Sequence, residues 1–237
     1  MRAYVVTATL ALVFACAPHV AVAGQLQAGP TSLEIGPGGT ATRLVLGNTG
    51  TTPIAAQVRV YSWSQVDGED RLLPSDALVV SPPIVELPPS GEQTIRVVRL
   101  GAPAAGHDQT YRIVVDELPQ GDPGRENTVK ILLRYVIPVF VRAPNGAPPA
   151  VACSIQGGIR LSCVNTGGRP AQIGASRLVG DDGQFVNLSD GLFGYVLPGS
   201  RRDWSLPTAV PEPAISNLRM DTRVNGQPTT LPVARTP

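Results

Sequence analysis

A chain of 237 residues is long enough for one large domain or two of ordinary size. Its 25 glycines and 24 prolines, about a fifth of the sequence, favour many turns and short strands over helices. The formal charge of +1 carries no electrostatic signature, so nothing recommends nucleic acid or an anionic membrane as a partner.

The N-terminus, MRAYVVTATLALVFACAPHVAVAG, sets Arg2 before an apolar run from Tyr4 to Ala17 and ends in the small-x-small site Ala21-Val22-Ala23. That is the pattern of a secretory signal over residues 1–23, cleaved before Gly24. The competing readings are weaker. A membrane anchor would be short and would end in Pro18, and lipid attachment at Cys16 is disfavoured by the bulky Phe14 two residues earlier. No later segment is apolar enough to span a bilayer. Loss of Arg2 leaves 18 of the 19 basic residues against 18 acidic ones, so the exported chain is neutral.

From Gln25 the chain reads as extended segments between turn signals. Pro30 and Gly36-Pro37-Gly38-Gly39 punctuate the first. Leu44 and Leu46 alternate with Arg43 and Val45 in the second, which ends in Gly47-Asn48-Thr49-Gly50. A third segment runs from Pro53 with Ala56, Val58 and Val60 inward, and turns at Asp67-Gly68. Trp63 within it reads as a core or sheet-covering aromatic, since one tryptophan in a strand makes no sugar site. Two short strands are expected around the corners Pro82-Pro83 and Pro88-Pro89, with Ile95, Val97 and Val98 apolar. Next, Tyr111, Ile113 and Val115 alternate with Arg112, Val114 and Asp116.

The segment Thr128 to Arg142, TVKILLRYVIPVFVR, has the two-residue period of a strand. Val129, Ile131, Leu133 and Tyr135 share one face, and Lys130, Leu132, Arg134 and Val136 the other. A typical strand has about five or six residues, so part of this one should lie at a sheet edge. Pro138 agrees, because proline is tolerated on edges and at bulges. A long apolar edge is a hazard that proteins normally blunt, and one that is kept suits pairing with another chain. Periodicity alone allows the odd-numbered residues to point into the domain's own core equally well.

About seven strands without helices make an immunoglobulin-like sandwich the leading architecture for residues 24–144. The Pro/Gly/Ala run Ala143 to Ala150 marks a boundary, and residues 145–237 form a second, smaller β-sandwich. There, strands are expected in VACSIQGGIRLSCVNTG, AQIGASRLVG, GQFVNLS, FGYVLPG, RRDWSL and NLRMDTRVNG. Cys153 and Cys163, the two cysteines of the exported chain, flank the turn Gly157-Gly158 and suggest a disulfide across a hairpin, the alternative being free buried thiols. Neither a third cysteine nor a nearby histidine completes a zinc site.

Catalytic equipment is sparse. His107, the one histidine left after export, sits in a Gly/Ala loop. There is no Gly-x-Ser-x-Gly elbow, phosphate loop or histidine cluster. The pairs Glu69-Asp70, Asp116-Glu117 and Asp181-Asp182 are neighbours in strands or turns, where adjacent side chains diverge. The chain reads as a binding protein with no cofactor and no metal.

The order of GNTG, RVYSWSQVDGEDRLLPSDALVVSPPIVELPPSGEQTIRVVRL, TYRIVVDELP and VKILLRYVIPVFVRAP resembles the periplasmic pilus-assembly chaperones of the chaperone–usher pathway, closest to the archaic branch that serves spore-coat-U-like pilins. The resemblance covers the first domain almost continuously and the second only in size and kind. It implies two immunoglobulin-like domains in an L shape. It also implies donor-strand complementation, itself an established instance of β-strand addition. The seventh strand is lent to a pilin that lacks one, and Val129, Ile131 and Leu133 match the alternating donor positions. The pilin's terminal carboxylate is held by basic residues in the cleft of such chaperones. Here the usual arginine falls near Thr31-Ser32 and the usual lysine at Pro138, so both are absent. Arg112 is the first candidate in their place, then Arg134, then Lys130, a guanidinium being suited to bidentate contact. The implied partners are pilin subunits and an outer-membrane usher, with self-association as a way for the free chain to cover its edge. The rival reading is an exported adhesin or carbohydrate-binding module built on Trp63 and Trp204.

Overall fold

The computed structural model describes residues 25–119, 131–181, 183–206, 208–210 and 217–236. The expected signal segment, Val129 and Lys130 lie outside these residues. All regular structure among them is strand.

Ten strands build the first sandwich: β1 (Leu26–Gly29), β2 (Leu33–Ile35), β3 (Ala41–Asn48), β4 (Ile54–Val66), β5 (Glu69–Pro74), β6 (Leu78–Ser81), β7 (Ile84–Leu87), β8 (Glu92–Arg99), β9 (Gln109–Leu118) and β10 (Arg134–Val141). One sheet has the order β1-β3-β8-β6, and the other β2-β10-β9-β4-β5 with β7 also on β4. The first extended run serves both sheets, because the chain leaves β1 at Gly29-Pro30 and re-enters the opposite sheet as β2. Alternation fixes what each sheet buries: Leu44 and Leu46, Ala56 and Val58, Ile95 and Val97, Ile113 and Val115, Ile137 and Val139 meet in one core. The proline corners subdivide the stretch from Arg71 to Leu100 more finely than expected. The end of β5, then β6, β7 and β8 all fall there, and Ser81-Pro82-Pro83 separates β6 and β7, which belong to different sheets.

The second sandwich holds β11 (Val151–Gln156), β12 (Arg160–Asn165), β13 (Ala171–Ile173), β14 (Ser176–Val179), β15 (Phe185–Ser189), β16 (Gly194–Val196), β17 (Ser200–Ser205), β18 (Arg219–Val224) and β19 (Gln227–Thr236). Its principal order is β15-β14-β18-β19-β11-β12-β17. Cys153 and Cys163 stand directly opposite in the β11–β12 hairpin and are joined by a disulfide. The last strand, β19, was hidden in sequence by Pro228 and Pro232. It tolerates both because residues 227–232 pair only with β18, and pairing to β11 begins at Val233.

The two sandwiches repeat one device. Asn48 and Asn165, both buried, end β3 and β12 in the sequence Asn-Thr-Gly. The Asn48 amide donates to the carbonyls of Thr52, Leu87 and Pro88, and that of Asn165 to Arg169 and Val196. Each side-chain oxygen accepts the amide two residues on, Gly50 in one case and Gly167 in the other. A buried amide satisfied on both ends pins a loop to its sheet more firmly than a turn alone.

Candidate functional site

Strand β10 runs antiparallel to β9 over its whole length, Arg134 opposite Asp116 and Val141 opposite Gln109. On its other flank β2 pairs, in parallel, only with Val139 to Val141. Ahead of Val139 no strand of the described residues covers that edge. The phase of the backbone follows from one bond: the Glu117 amide donates to the Leu133 carbonyl at 2.9 Å, across an opposed pair. In an antiparallel ladder both backbone groups of a residue point the same way. Leu133, Tyr135 and Ile137 therefore face β9, whereas Arg134, Val136 and Pro138 face the open side. The far end agrees, since the Arg142 amide donates to the Ile35 carbonyl of β2 at 2.9 Å.

Side chains divide by the same parity. Ile137 and Val139 are buried in the core; Tyr135 and Leu133 pack partly against it. The Tyr135 hydroxyl donates to the Leu26 carbonyl on the facing sheet at 2.8 Å, closing the sandwich at that level. Beyond Leu133 the next odd side chain leaves the core, Ile131 being 74% exposed. On the opposite face Leu132 and Val136 are also exposed, at 41% and 46%. Of the strand expected from Thr128, residues 128–130 lie outside the described residues, and the described part is strand from Arg134, with Ile131 to Leu133 leading into it.

The outer face of this sheet carries two of the three basic candidates, in unequal settings. Arg134 hydrogen-bonds to Asp116, which also receives Arg59 at 2.5 Å. Burial alone would raise the Asp116 carboxyl, but hydrogen bonds from Arg59 and Arg134 outweigh it and hold the group below the usual aspartate value. Arg112, four residues earlier on β9, has no carboxylate partner among the described residues. Its guanidinium lies 3.5 Å from the centre of the Trp63 ring and 5.3 Å from that of Tyr195. Burial lowers its pKa, partly offset by Tyr195 and Asp70, while burial raises the Tyr195 phenol against the opposing effect of Arg112. Lys130 lies outside the described residues.

This cation sits where the two sandwiches meet. Trp63, Phe140, Tyr195 and Leu197 form a buried cluster, with Tyr195 edge-on to Trp63 at 5.3 Å. Two residues along β4, Gln65 donates to the Tyr195 carbonyl at 2.8 Å and accepts the Leu197 amide at 2.9 Å. The β4–β5 turn reaches β17, where the Asp203 amide and the Arg202 guanidinium both donate to the Gly68 carbonyl. Gly68 has φ +79°, and a Cβ there would stand 2.4 Å from the Asp203 carboxyl, so only glycine fits. On the other side of the cleft the buried Asp108 carboxylate accepts Arg142, which also binds Glu34, each at 2.6 Å. A cavity of about 250 Å³ opens beside β10 and is lined by Ser32, Phe140, Arg142, Gln172, Tyr195 and Asn225 among others. A larger concavity, about 620 Å³, lies over β1 and β3 on the other sheet, away from this edge.

Trp63 is buried, and Trp204 is half-buried and stacked on Phe193 at 4.7 Å, so neither offers the exposed platform that a carbohydrate module requires. Sequence reasoning placed Trp63 in or over a sheet but gave no sign that it, Gln65 and Tyr195 would join the domains. Nothing local distinguishes an interface aromatic from a core one.

Comparison with known proteins fits this architecture. No curated protein sequence matches the chain significantly. Among solved structures, a chain of the chaperone–tip adhesion subunit pre-assembly complex CsuC–CsuE, from archaic chaperone-usher Csu pili of Acinetobacter baumannii, is 21% identical. Its TM-score is 0.72, over 90% of this chain and 100% of that one. The Escherichia coli chaperone DraB is 19% identical, with a TM-score of 0.61 over 89% and 96%. A chain of the Salmonella enterica SafA pilin–SafB chaperone complex is 15% identical, with a TM-score of 0.62 over 87% and 94%. These likenesses establish the fold. Residues 25–147, which hold the whole first sandwich with its open strand, match the model for "Pili and flagellar-assembly chaperone, PapD N-terminal domain". That match spans more than half of the chain, and with it the chain belongs to the pilus-assembly chaperone family.

Proposed function

We propose that this protein is a periplasmic, non-enzymatic chaperone that lends β10 and the residues before it to a pilin subunit and passes the subunit to an outer-membrane usher. The observation that carries this reading is the edge itself. On the side away from β9, backbone groups of Arg134 and Val136 have no strand of the described residues beside them, and the side chains leading into the strand, Ile131 foremost, project beyond the core. An incomplete client sandwich exposes an unpaired ladder and a row of apolar pockets, and an alternating strand satisfies both. Val129, Ile131 and Leu133 are the donor positions. Full burial of one such side chain contributes roughly 1.5–3 kcal/mol, less the cost of ordering the segment.

Arg112 is the proposed anchor of the client's carboxylate. A desolvated guanidinium that makes no ion pair among the described residues, with Asp70 acting on it only at longer range, gains from an incoming anion. Arg134 already serves Asp116. Chaperones similar to this chain in fold have been solved in complexes with a tip adhesion subunit and with a pilin, and the N-terminal segment fits export to the periplasm.

Co-expression with a spore-coat-U-type pilin, followed by affinity capture of the chaperone from the periplasm, tests the reading. Soluble pilin accompanies the wild-type chain, and its recovery falls at least about tenfold with Ile131→Asp. Equal recovery would overturn the donor assignment.

A further inference from the structure

A strand added to β10 has to stop somewhere, and the backbone of β10 decides where. On the open side the N–H and C=O groups belong to the even-numbered residues, in the phase fixed by the Glu117–Leu133 bond. Leu132, Arg134 and Val136 each offer a donor and an acceptor there. Pro138, next in the series, has no N–H. It loses nothing to its own sheet, because opposite Arg112 its backbone turns away from β9. Exposure ends at the same point: Val136 is half open and Pro138 is buried. One residue later β2 takes over the edge, pairing Leu33 with Val139.

We infer that Pro138 is the stop that sets the register of the client. A client strand parallel to β10 takes its backbone bonds from Leu132, Arg134 and Val136 and ends with its carboxylate beside Pro138. This rests on the strand-addition reading above. The parallel sense follows from charge, since the Arg112 guanidinium, which makes no ion pair among the described residues, stands at that end opposite Pro138 and favours a terminal carboxylate over a terminal ammonium, whereas Arg142 is already paired with Asp108 and Glu34. A client carbonyl placed opposite Pro138 would lack a main-chain donor. A carboxylate there can instead turn to the side chains lining the adjoining cavity, Ser32 and Tyr195 among them.

Amide-resolved hydrogen exchange on the labelled chaperone, free and in complex with a co-purified pilin, tests the register. The amides of Leu132, Arg134 and Val136 slow on binding, whereas those of Tyr135, Ile137 and Val139, bonded to β9, are slow in both states. A pilin lengthened by two alanines after its last residue, one ladder repeat, binds at least about tenfold more weakly. Pro138→Ala creates an amide that is protected only in the complex and slows pilin dissociation by about three- to tenfold, one hydrogen bond's worth. Pro138→Val is the second variant should alanine loosen the strand, and Trp63 emission verifies folding of each. Undiminished binding of the lengthened pilin, or an amide at position 138 already protected in the free chaperone, would overturn the inference while leaving strand addition intact. If the even-numbered amides do not respond and Ile131→Asp leaves pilin capture unchanged, strand addition fails and the register with it.

Discussion

The cleft beside β10 has its shape only while the two sandwiches stay docked, and Gln65 is the most economical place to loosen them. Its amide makes two partly buried bonds to backbone on the other side, donating to Tyr195 at 2.8 Å and accepting from Leu197 at 2.9 Å. Gln65→Ala removes both and leaves a carbonyl and an N–H without partners. At roughly 0.5–1.5 kcal/mol for each bond, the docked arrangement loses about 1–3 kcal/mol. At the midpoint of that range the undocked form becomes about thirtyfold more populated. The assay uses the fact that the chain has two tryptophans. With Trp204→Phe as background, Trp63 alone reports the interface, where it is now buried against Tyr195 and Phe140. Emission of Trp63 should shift to the red at lower urea in Gln65→Ala, while the secondary-structure transitions of the two sandwiches keep their midpoints. A Trp63 transition unchanged to within about 0.5 kcal/mol would mean that the aromatic cluster, and not Gln65, holds the domains.

Three further outcomes follow from the same geometry. Ile131→Asp should leave the urea midpoint unchanged, since this side chain is 74% exposed, whereas Leu133→Asp should lower it because Leu133 packs partly on the core; pilin capture falls for both, so Ile131 is the cleaner probe of client binding. Asp116 is held below the usual carboxylate value, so its contribution is fully present above about pH 4 and is lost as pH falls through its lowered folded value. The stability difference between wild type and Asp116→Asn, from urea melts at pH 7 and pH 3, should therefore shrink at the acid end. Reducing the Cys153–Cys163 bridge, which closes a sequence separation of 10, should cost the second sandwich about 2–3 kcal/mol, read as an earlier Trp204 transition that Trp63, packed on Tyr195 of that sandwich, follows.

What sequence showed and what it hid divide along physical lines. Alternation in a two-sided sheet is a local property. The inward sets Leu44/Leu46, Ala56/Val58 and Tyr111/Ile113/Val115 were accordingly readable, and all are buried. The exit of Ile131 from the core was not readable, because odd-numbered residues of one strand have identical periodicity whether they sit above or below the rung that Tyr135 closes. The interface was equally hidden: Trp63 and Gln65 occupy the outer face of β4, where one expects solvent, and their partners lie about 130 residues away. A usable signal did stand in the chain. Asn-Thr-Gly occurs at residues 48–50 and again at 165–167, and in both sandwiches the asparagine ties a strand end to a distant loop. In each case the threonine amide returns to the residue just before its domain's first strand, Thr49 to Gln25 and Thr166 to Ala150. Two copies of one buried polar device, about 117 residues apart on the same phase of two immunoglobulin-like folds, mark the second domain as a structural echo of the first. The echo reaches the last strand of each domain. As β10 pairs β9 antiparallel and meets β2 in parallel only from Val139, so β19 pairs β18 antiparallel and meets β11 in parallel only from Val233. What differs is the lead into that strand: β19 follows β18 through the turn Asn225-Gly226, whereas β10 is entered from the exposed Ile131, beside a cavity that Tyr195 of the second domain helps to line.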